Sequence, residues 1–501
     1  MSRRKSSIKN IVVALISEAV VALVGFLFPQ AIIVNYGSRA NGLITSLQQF
    51  IQYFTLIEAG LSGAAMYALY RPLAENDTAL IERILYSAKQ MYQRIGGIFV
   101  LLIAAACVIY PACIADTGYP YWMVSLLFCL IGMNGATQLL FIGKYKVLLN
   151  ASQNSRYVVL INSVTTCVFS LTIVVLSYWH VPVLIAVALG ALAYLLRAWG
   201  FHLVVRKKFS HYSYQSAAEE YRFENQREVF IQQILTMLVM NASILILSFS
   251  KTDMAEISVF TVYNLVLTAV FMLTNAVHNG VSASFGDLIA RQDKAHLRKA
   301  YGEYEMLYQV FFIMVFSCVS VLYLPFMKIY TRGFTDAQYV RPALCVLFSI
   351  LGAVWSVRIQ QSVIIVAAGK FKEIQRASII EASLALILCM AGLFLGGLEG
   401  LMIGRILAAV YRMIDFTRFS HRHVMEMNTG FTWKGVAASA LVIIGINRLS
   451  AGVLQQLVID TYGKWILLAG GVAAVSAAAG LLVSVLLYRN EAASLLKRFA
   501  G

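Results

Sequence analysis

Runs of apolar residues long enough to cross a bilayer recur along the whole chain. They lie near residues 9–34, 41–70, 93–114, 121–149, 156–178, 183–204, 228–250, 254–282, 302–327, 339–367, 375–395, 399–417, 433–449 and 464–488. Each is at or near the roughly 20 residues needed to traverse hydrocarbon as a helix. In lipid every backbone N–H and C=O must be satisfied within the protein, so spans of this length are helices. The expectation is an all-α polytopic membrane protein of about fourteen transmembrane helices. Composition agrees: 60% of the residues are hydrophobic and 13% charged, against about 25% charged in soluble domains. The opening MSRRKSSIKN and the apolar run to Phe28 superficially resemble a signal peptide. The run exceeds an h-region of about 7–15 residues and no small-residue cleavage site follows, so it is expected to be a retained first span.

The formal charge of +16 would suit nucleic acid if it were gathered in a soluble patch. Instead the Lys and Arg residues, among them Arg3, Arg4, Lys5, Arg206, Lys207, Lys208, Lys497 and Arg498, fall mostly on alternate connections. That bias is the positive-inside rule, which places both termini in the cytoplasm and leaves no nucleic-acid partner to invoke. Cys107, Cys113, Cys129, Cys167, Cys318, Cys345 and Cys389 all lie in or at the ends of apolar runs, with no CxxC pair and no His cluster. Neither a disulfide framework nor a metal site is indicated. No GxSxG, GxxxxGK[ST], HExxH or DxD motif occurs, and no GxGxxG follows a strand. With only short loops outside the spans, an enzyme would have nowhere to carry its chemistry. The expectation is a non-enzymatic protein without a cofactor.

One stretch, from Asn35 to Tyr92, is copied 216 residues later from Lys251 to Tyr308. In its helix Thr45, Gln48, Gln52, Thr55, Ala59 and Ser62 alternate at spacings of three and four, with Glu58 beside them. They form one polar stripe, and such a stripe cannot face lipid. At the constant offset Thr45 meets Thr261, Gln48 meets Asn264, Gln52 meets Thr268 and Ser62 meets His278, with Asn275 close by. The following loop and amphipathic helix match as well, Asp77 with Asp293 and Tyr92 with Tyr308. The inner loop NASQNSR after the fourth span aligns with VAAGKFK after the tenth. An even number of spans separates the copies, so they share one orientation, the parallel-repeat plan of some secondary transporters. The expected division is an N-lobe of six helices at 1–208, a linker at 209–227 and a C-lobe of six at 228–418. An accessory hairpin with the C-terminus then occupies 419–501. The two polar stripes are expected to line a cavity between the lobes.

Several charged residues lie deep in the spans. Arg197, Arg358 and Arg405 are expected either to pair or to bind an anion, since a buried guanidinium is costly alone. Glu381 is within reach of Arg405, and Glu18 or Glu58 of Arg197, whereas Arg358 has no evident acidic neighbour. Lys144 and Lys146 either snorkel to the inner interface or bind ligand. Glu18 and Glu58 are candidates for coupling to H+ or Na+, or for a hydrogen-bonded interior role. The stripe Glu18, Ala22, Gly25 and Pro29 suggests a close helix contact on the first span.

The segments IKNIVVALISEAVVALVGFLFPQAIIVNYGSRANGL, QFIQYFTLIEAGL and LYRPLAEND resemble the Wzx-type flippases of the multidrug/oligosaccharidyl-lipid/polysaccharide exporter superfamily. The similarity is good over about residues 8–160, fair to about 420 and weak beyond. It implies a monomeric bacterial inner-membrane protein that moves undecaprenyl-pyrophosphate-linked oligosaccharide to the outer leaflet by alternating access. It also implies a cationic cavity, with polysaccharide polymerase or glycosyltransferases as partner enzymes. Arg358, Arg197, Arg405, Lys144 and Lys146 are the residues of this chain that would suit the pyrophosphate. Two other functions are compatible with such a chain. One is a multidrug or cationic-solute antiporter of the same superfamily, and the other a non-transporting membrane scaffold of a polysaccharide-synthesis complex.

Overall fold

A computed structural model describes residues 3–55, 58–114, 117–210, 212, 221, 226–291, 293–370, 372–456 and 459–500. The described residues contain no strand. Sixteen helices follow in order: α1 (Arg3–Tyr36), α2 (Ser38–Thr55), α3 (Ala59–Glu75), α4 (Thr78–Cys113), α5 (Tyr121–Thr137), α6 (Gly143–Ala151), α7 (Ser155–Tyr178) and α8 (Val183–Lys208). After them come α9 (Gln226–Phe249), α10 (Met254–Ala290), α11 (Lys294–Tyr330), α12 (Pro342–Ala367), α13 (Gln375–Phe419), α14 (Gly430–Gln456), α15 (Tyr462–Leu487) and α16 (Arg489–Ala500). Short π-helical turns join α5 to α6 at Gln138–Ile142 and follow α13 at Ser420–Met425.

Eleven stretches among the described residues are long and apolar enough to cross a membrane, against fourteen expected from sequence. The difference has local causes. The expected span 41–70 is carried by α2 and α3 on either side of residues 56–57, and 228–250 by α9. The expected spans 375–395 and 399–417 are the two arms of α13, reversed at Gly396–Gly397, where Gly397 takes φ 58° and ψ −140°. A side chain is all but excluded from that conformation, so glycine sets the turn. The arms then close so tightly that a Cβ at Gly400 would lie 2.1 Å from the Gly392 carbonyl oxygen.

The chain divides into two compact units, Met1–Thr261 and Val262–Gly501. In the first, α1 packs on α7, α7 on α8, α4 on α5, and α5 on α8, while α3 contacts α4, α6 and α9. Helix α2 crosses the start of α10 closely enough that a Cβ at Gly42 would sit 1.8 Å from the Met254 carbonyl oxygen. Asn41 Nδ2 donates to Ser258 Oγ at 2.8 Å beside that crossing, and Arg39 pairs with Asp253 at 3.2 Å. Most of the expected linker 209–227 lies outside the described residues.

In the second unit α11 is the central helix, packed by α12, α14, α15 and α16. The α14–α15 hairpin is fastened to it by polar bonds as well as apolar contact. Trp465 Nε1 donates to the Leu322 carbonyl at 3.1 Å, Asn447 Nδ2 to Ser320 O at 3.1 Å, and Ser484 Oγ to Gln309 Oε1 at 3.1 Å. The sequence duplication is visible in the helix starts. Asp77 caps α4 by accepting from Leu80 N, and Asp293 caps α11 by accepting from His296 N, both at 3.0 Å. Such caps satisfy backbone donors that the first helical turn leaves free.

Candidate functional site

The first unit contains a polar cavity of about 250 Å3 whose walls include Gln48, Gln52, Thr55, Asn134, Gln138 and Tyr194. Three of these are stripe residues of α2. The stripe therefore faces protein and cavity, as the cost of polar groups in lipid requires. Thr45, one turn earlier, is half-buried, and Thr55 Oγ1 donates to the Gln52 carbonyl at 2.8 Å.

The opposite wall comes from α5 and the π turn that ends it. A π turn inserts one residue into the helical ladder, a feature common at functional sites. Here it lies at Gln138, one turn beyond Asn134. Gln138 Nε2 donates to Glu58 Oε2 at 2.6 Å, and Tyr92 OH donates to Glu58 Oε1 at 3.3 Å. Lys146 Nζ lies 3.8 Å from Glu58 Oε1. Glu58 is 4% exposed, so this compensation is needed to keep an ionised carboxylate there.

A second cation lies behind the same wall. Arg197, 7% exposed, donates from Nη2 to the Asn134 carbonyl at 2.8 Å and to Thr137 Oγ1 at 3.2 Å. Its plane lies over Tyr194, 5.7 Å from the ring centroid. The expected ion pair with Glu18 is not made, because Glu18 is exposed on α1 while Arg197 turns toward α5. Glu58 is near enough to act on Arg197 electrostatically, but the direct bonds go to Asn134 and Thr137. Arg197 Nε and Asn134 Oδ1 are buried with no hydrogen-bond partner among the described residues. Polar atoms in that state are bonded to water or ligand in a working protein. Lys144 is half-buried with its ammonium 4.9 Å from the Tyr145 ring centroid. Gly25 on α1 has nothing within 4 Å of a would-be Cβ, so the small-residue stripe of the first span makes no close contact there.

The remaining candidates, from Thr261 at the end of the first unit onward, are distributed differently. Thr261 and Thr268, on α10, donate their hydroxyls back to Ile257 O at 2.7 Å and Asn264 O at 2.8 Å. Asn264 is half-buried, Asn275 exposed and His278 half-buried. Arg358 has an acidic partner after all. The α13 hairpin lays Glu381 beside α12, where it takes Arg358 Nη1 on Oε1 and Arg412 Nε on Oε2, the latter at 3.3 Å. Arg412 also bonds Asp415 at 2.9 Å and Ser378 Oγ at 2.6 Å. Trp355 stacks on Arg358 at 4.2 Å and Phe416 on Arg412 at 4.1 Å. Glu381 thus serves Arg358 and Arg412 and not Arg405, which is buried elsewhere along α13 at 6% exposure. Sequence reasoning passed over Arg412. Its i,i+3 spacing to Asp415 was the available signal.

No protein-family model matches the sequence, and no curated protein does. Solved structures do match. A multidrug resistance MATE family transporter of the MOP superfamily, in an inward-facing conformation, superposes with TM-score 0.65 at 12% identity, covering 82% of this chain and 98% of that one. The lipid II flippase MurJ, in an inward closed conformation, gives TM-score 0.61 at 13% identity over 96% of this chain and 99% of that one. A MOP superfamily transporter from Pyrococcus furiosus, described as having a binding pocket of reversed polarity, gives TM-score 0.56 at 12% identity. It covers 85% of this chain and 97% of that one. The chain has the fold of these multi-pass transporters.

Proposed function

We propose that this protein is a flippase that carries a lipid-linked oligosaccharide from the inner to the outer leaflet of a bacterial cytoplasmic membrane by alternating access. Both termini would lie in the cytoplasm, and the Asn35–Tyr92 helices would be part of the gate. The observation that carries the reading is the chemistry of the first unit's cavity. Amide and hydroxyl groups from Gln48, Gln52, Thr55, Asn134 and Gln138 line it. Arg197 and Lys146 stand behind its walls against the single carboxylate Glu58. Amides and hydroxyls suit sugar hydroxyls, and a surplus of cations suits a pyrophosphate. With the cell interior negative, outward movement of that anion gains roughly 2.3 kcal/mol per charge per 100 mV.

The test is flipping of a polyprenyl-pyrophosphate oligosaccharide in proteoliposomes. Lys146→Ala and Gln52→Ala, both at positions open enough to be replaced without a core cavity, should fold normally. Lys146→Ala should transport at least about tenfold more slowly, the size of one charge-assisted bond. Undiminished flipping in both variants would remove this cavity from the mechanism, and no flipping by the wild type would favour a scaffold role. The second reading, a cationic-solute antiporter, rests on Glu58 being a buried carboxylate at the cavity. It predicts efflux of an organic cation that Glu58→Gln abolishes, with no flipping.

A further inference from the structure

The second unit buries a carboxylate that none of the chemistry above uses. Glu305, on α11, is 4% exposed, and among the described residues it makes no ion pair with any Lys or Arg. Its bonding partners are neutral: Gln360 Nε2 donates to Oε2 at 2.7 Å, and the Tyr301 and Thr432 hydroxyls also bond the carboxyl group. Beside it lies a small space of about 20 Å3, lined in part by Glu305, Tyr308, Gln309, Gln360, Gly435 and Ser439. That is room for one water-sized guest, and Glu305, Tyr308, Ser439 and the two Gln side chains of the lining all carry oxygens, the ligands hard cations take.

Titratable groups face this site from each neighbouring element. On α11 they are Tyr301, Tyr304 and Tyr308, and the π turn after α13 contributes His421, which bonds Thr432 at 3.2 Å. Tyr488 follows α15, and Glu491 of α16 touches Gly302. Glu303, one helical step away, accepts from Ser494 at 2.9 Å. Lys434 of α14 is exposed, and Arg358 of α12 is occupied by Glu381. No group in this set supplies a positive charge to Glu305. An ionised carboxylate would stand there with neutral donors but no counter-charge, which burial makes unfavourable.

We propose that Glu305 and the adjoining cavity form a binding site for one monovalent cation, either H+ on the carboxylate or Na+ held between it and the surrounding oxygens. The site lies at the junction of α11, α12 and α14. Charging or neutralising it therefore changes how strongly three helices of the second unit hold together.

The test uses the full chain in lipid nanodiscs and thermal unfolding, which needs no transport substrate, so its outcome is independent of what the protein carries. The proton arm lowers pH from 8.5 to 5.5 in a sodium-free potassium buffer. The sodium arm adds NaCl against KCl at pH 8.5. A ligand at ten times its dissociation constant raises the midpoint by about 2 °C or more. Wild type should respond in one arm. Glu305→Gln, which is neutral and isosteric, should be flat in both, whereas Glu303→Gln should keep the wild-type response. If the response is to sodium, Ser439→Ala should raise the half-saturating concentration severalfold. Should Glu305→Gln fail to fold, the infrared carboxylic C=O band of wild type reports the proton arm, and 22Na+ binding reports the sodium arm. A wild type silent in both arms, or a Glu305→Gln variant that responds as wild type does, overturns the proposal.

Discussion

Removing the Glu381 carboxylate is the sharpest probe of how the second unit holds its charges. Its side chain is 2% exposed, that of Arg412 1% and that of Arg358 12%, so solvent does little to screen the three. In Glu381→Gln both guanidiniums remain, and they now face each other across a neutral amide. Like charges roughly 6 Å apart at an effective dielectric of about 20 repel by about 3 kcal/mol. Breaking a buried pair from one side costs about 3–5 kcal/mol in measured cases, which is the loss expected here. Arg358→Met removes one of the two cations while Glu381 keeps Arg412, so it should cost less. The double variant should cost less than the sum by about 1–3 kcal/mol, because the repulsion is gone. Unfolding in mixed micelles with increasing SDS, monitored by tryptophan fluorescence, gives the three differences. Additivity within about 0.5 kcal/mol, or a Glu381→Gln variant as stable as wild type, would refute the network as drawn.

Other outcomes follow from single features. Gly397→Ala forces a Cβ into a glycine-only conformation and should destabilise the α13 hairpin by about 1–3 kcal/mol, read as a lowered melting point. Gly42→Ala meets backbone at Met254 and should cost a similar amount, about 1–3 kcal/mol, by parting α2 from α10. Its check is faster hydrogen exchange along α2. The Lys294 ammonium, aided by Arg298, holds the Glu426 carboxyl below the usual range. A depressed carboxyl contributes stability above its unfolded pKa and loses it as pH falls through the folded one. The protection of amides at the start of α11, relative to the free-peptide exchange rate at the same pH, should therefore fall on acidification below about pH 4, and Glu426→Gln should remove that dependence.

The helical class and the duplicated capping aspartates were legible because both are local: apolar length fixes a span, and Asp77 or Asp293 needs only its own first turn. Spans eleven and twelve were also found, but their joining into one hairpin depends on the conformation of two glycines. The α2 stripe predicted a cavity wall because its polar residues share one helical face. The partners in that cavity came from α5, eighty or more residues away, and no spacing rule reaches so far. Arg358 shows the limit most clearly. Its supposed isolation was judged from neighbours along the chain, whereas Glu381 reaches it only once α13 packs on α12.

The duplication also explains why the two units differ in charge. In the first, Glu58, Tyr92 and Gln138 meet at one junction. In the second, Thr274 takes the place of Glu58 and bonds Ser356 at 3.2 Å, while Tyr308 donates to the Ser356 carbonyl at 2.8 Å. The helices touch at corresponding places with the carboxylate removed. At the same offset of 216, Asn134, Gln138 and Lys146 become Ile350, Val354 and Ser362. A buried carboxylate is tolerable only beside a cation or strong donors, and a buried cation only beside a carboxylate or acceptors. Losing one removes the reason to keep the other. The polar wall and its charges therefore disappear together, and Ile350 and Val354 instead line an apolar cavity of about 620 Å3 in the second unit. The second unit places charges in the Arg358–Glu381–Arg412 network and at Glu305, and none of these has a like-charged counterpart at the offset, where Ile142, Thr165, Leu196 and, opposite Glu305, Lys89 stand. The Glu58 cluster of the first unit and the Arg358–Glu381–Arg412 network of the second thus differ between the copies as compensated groups and not residue by residue.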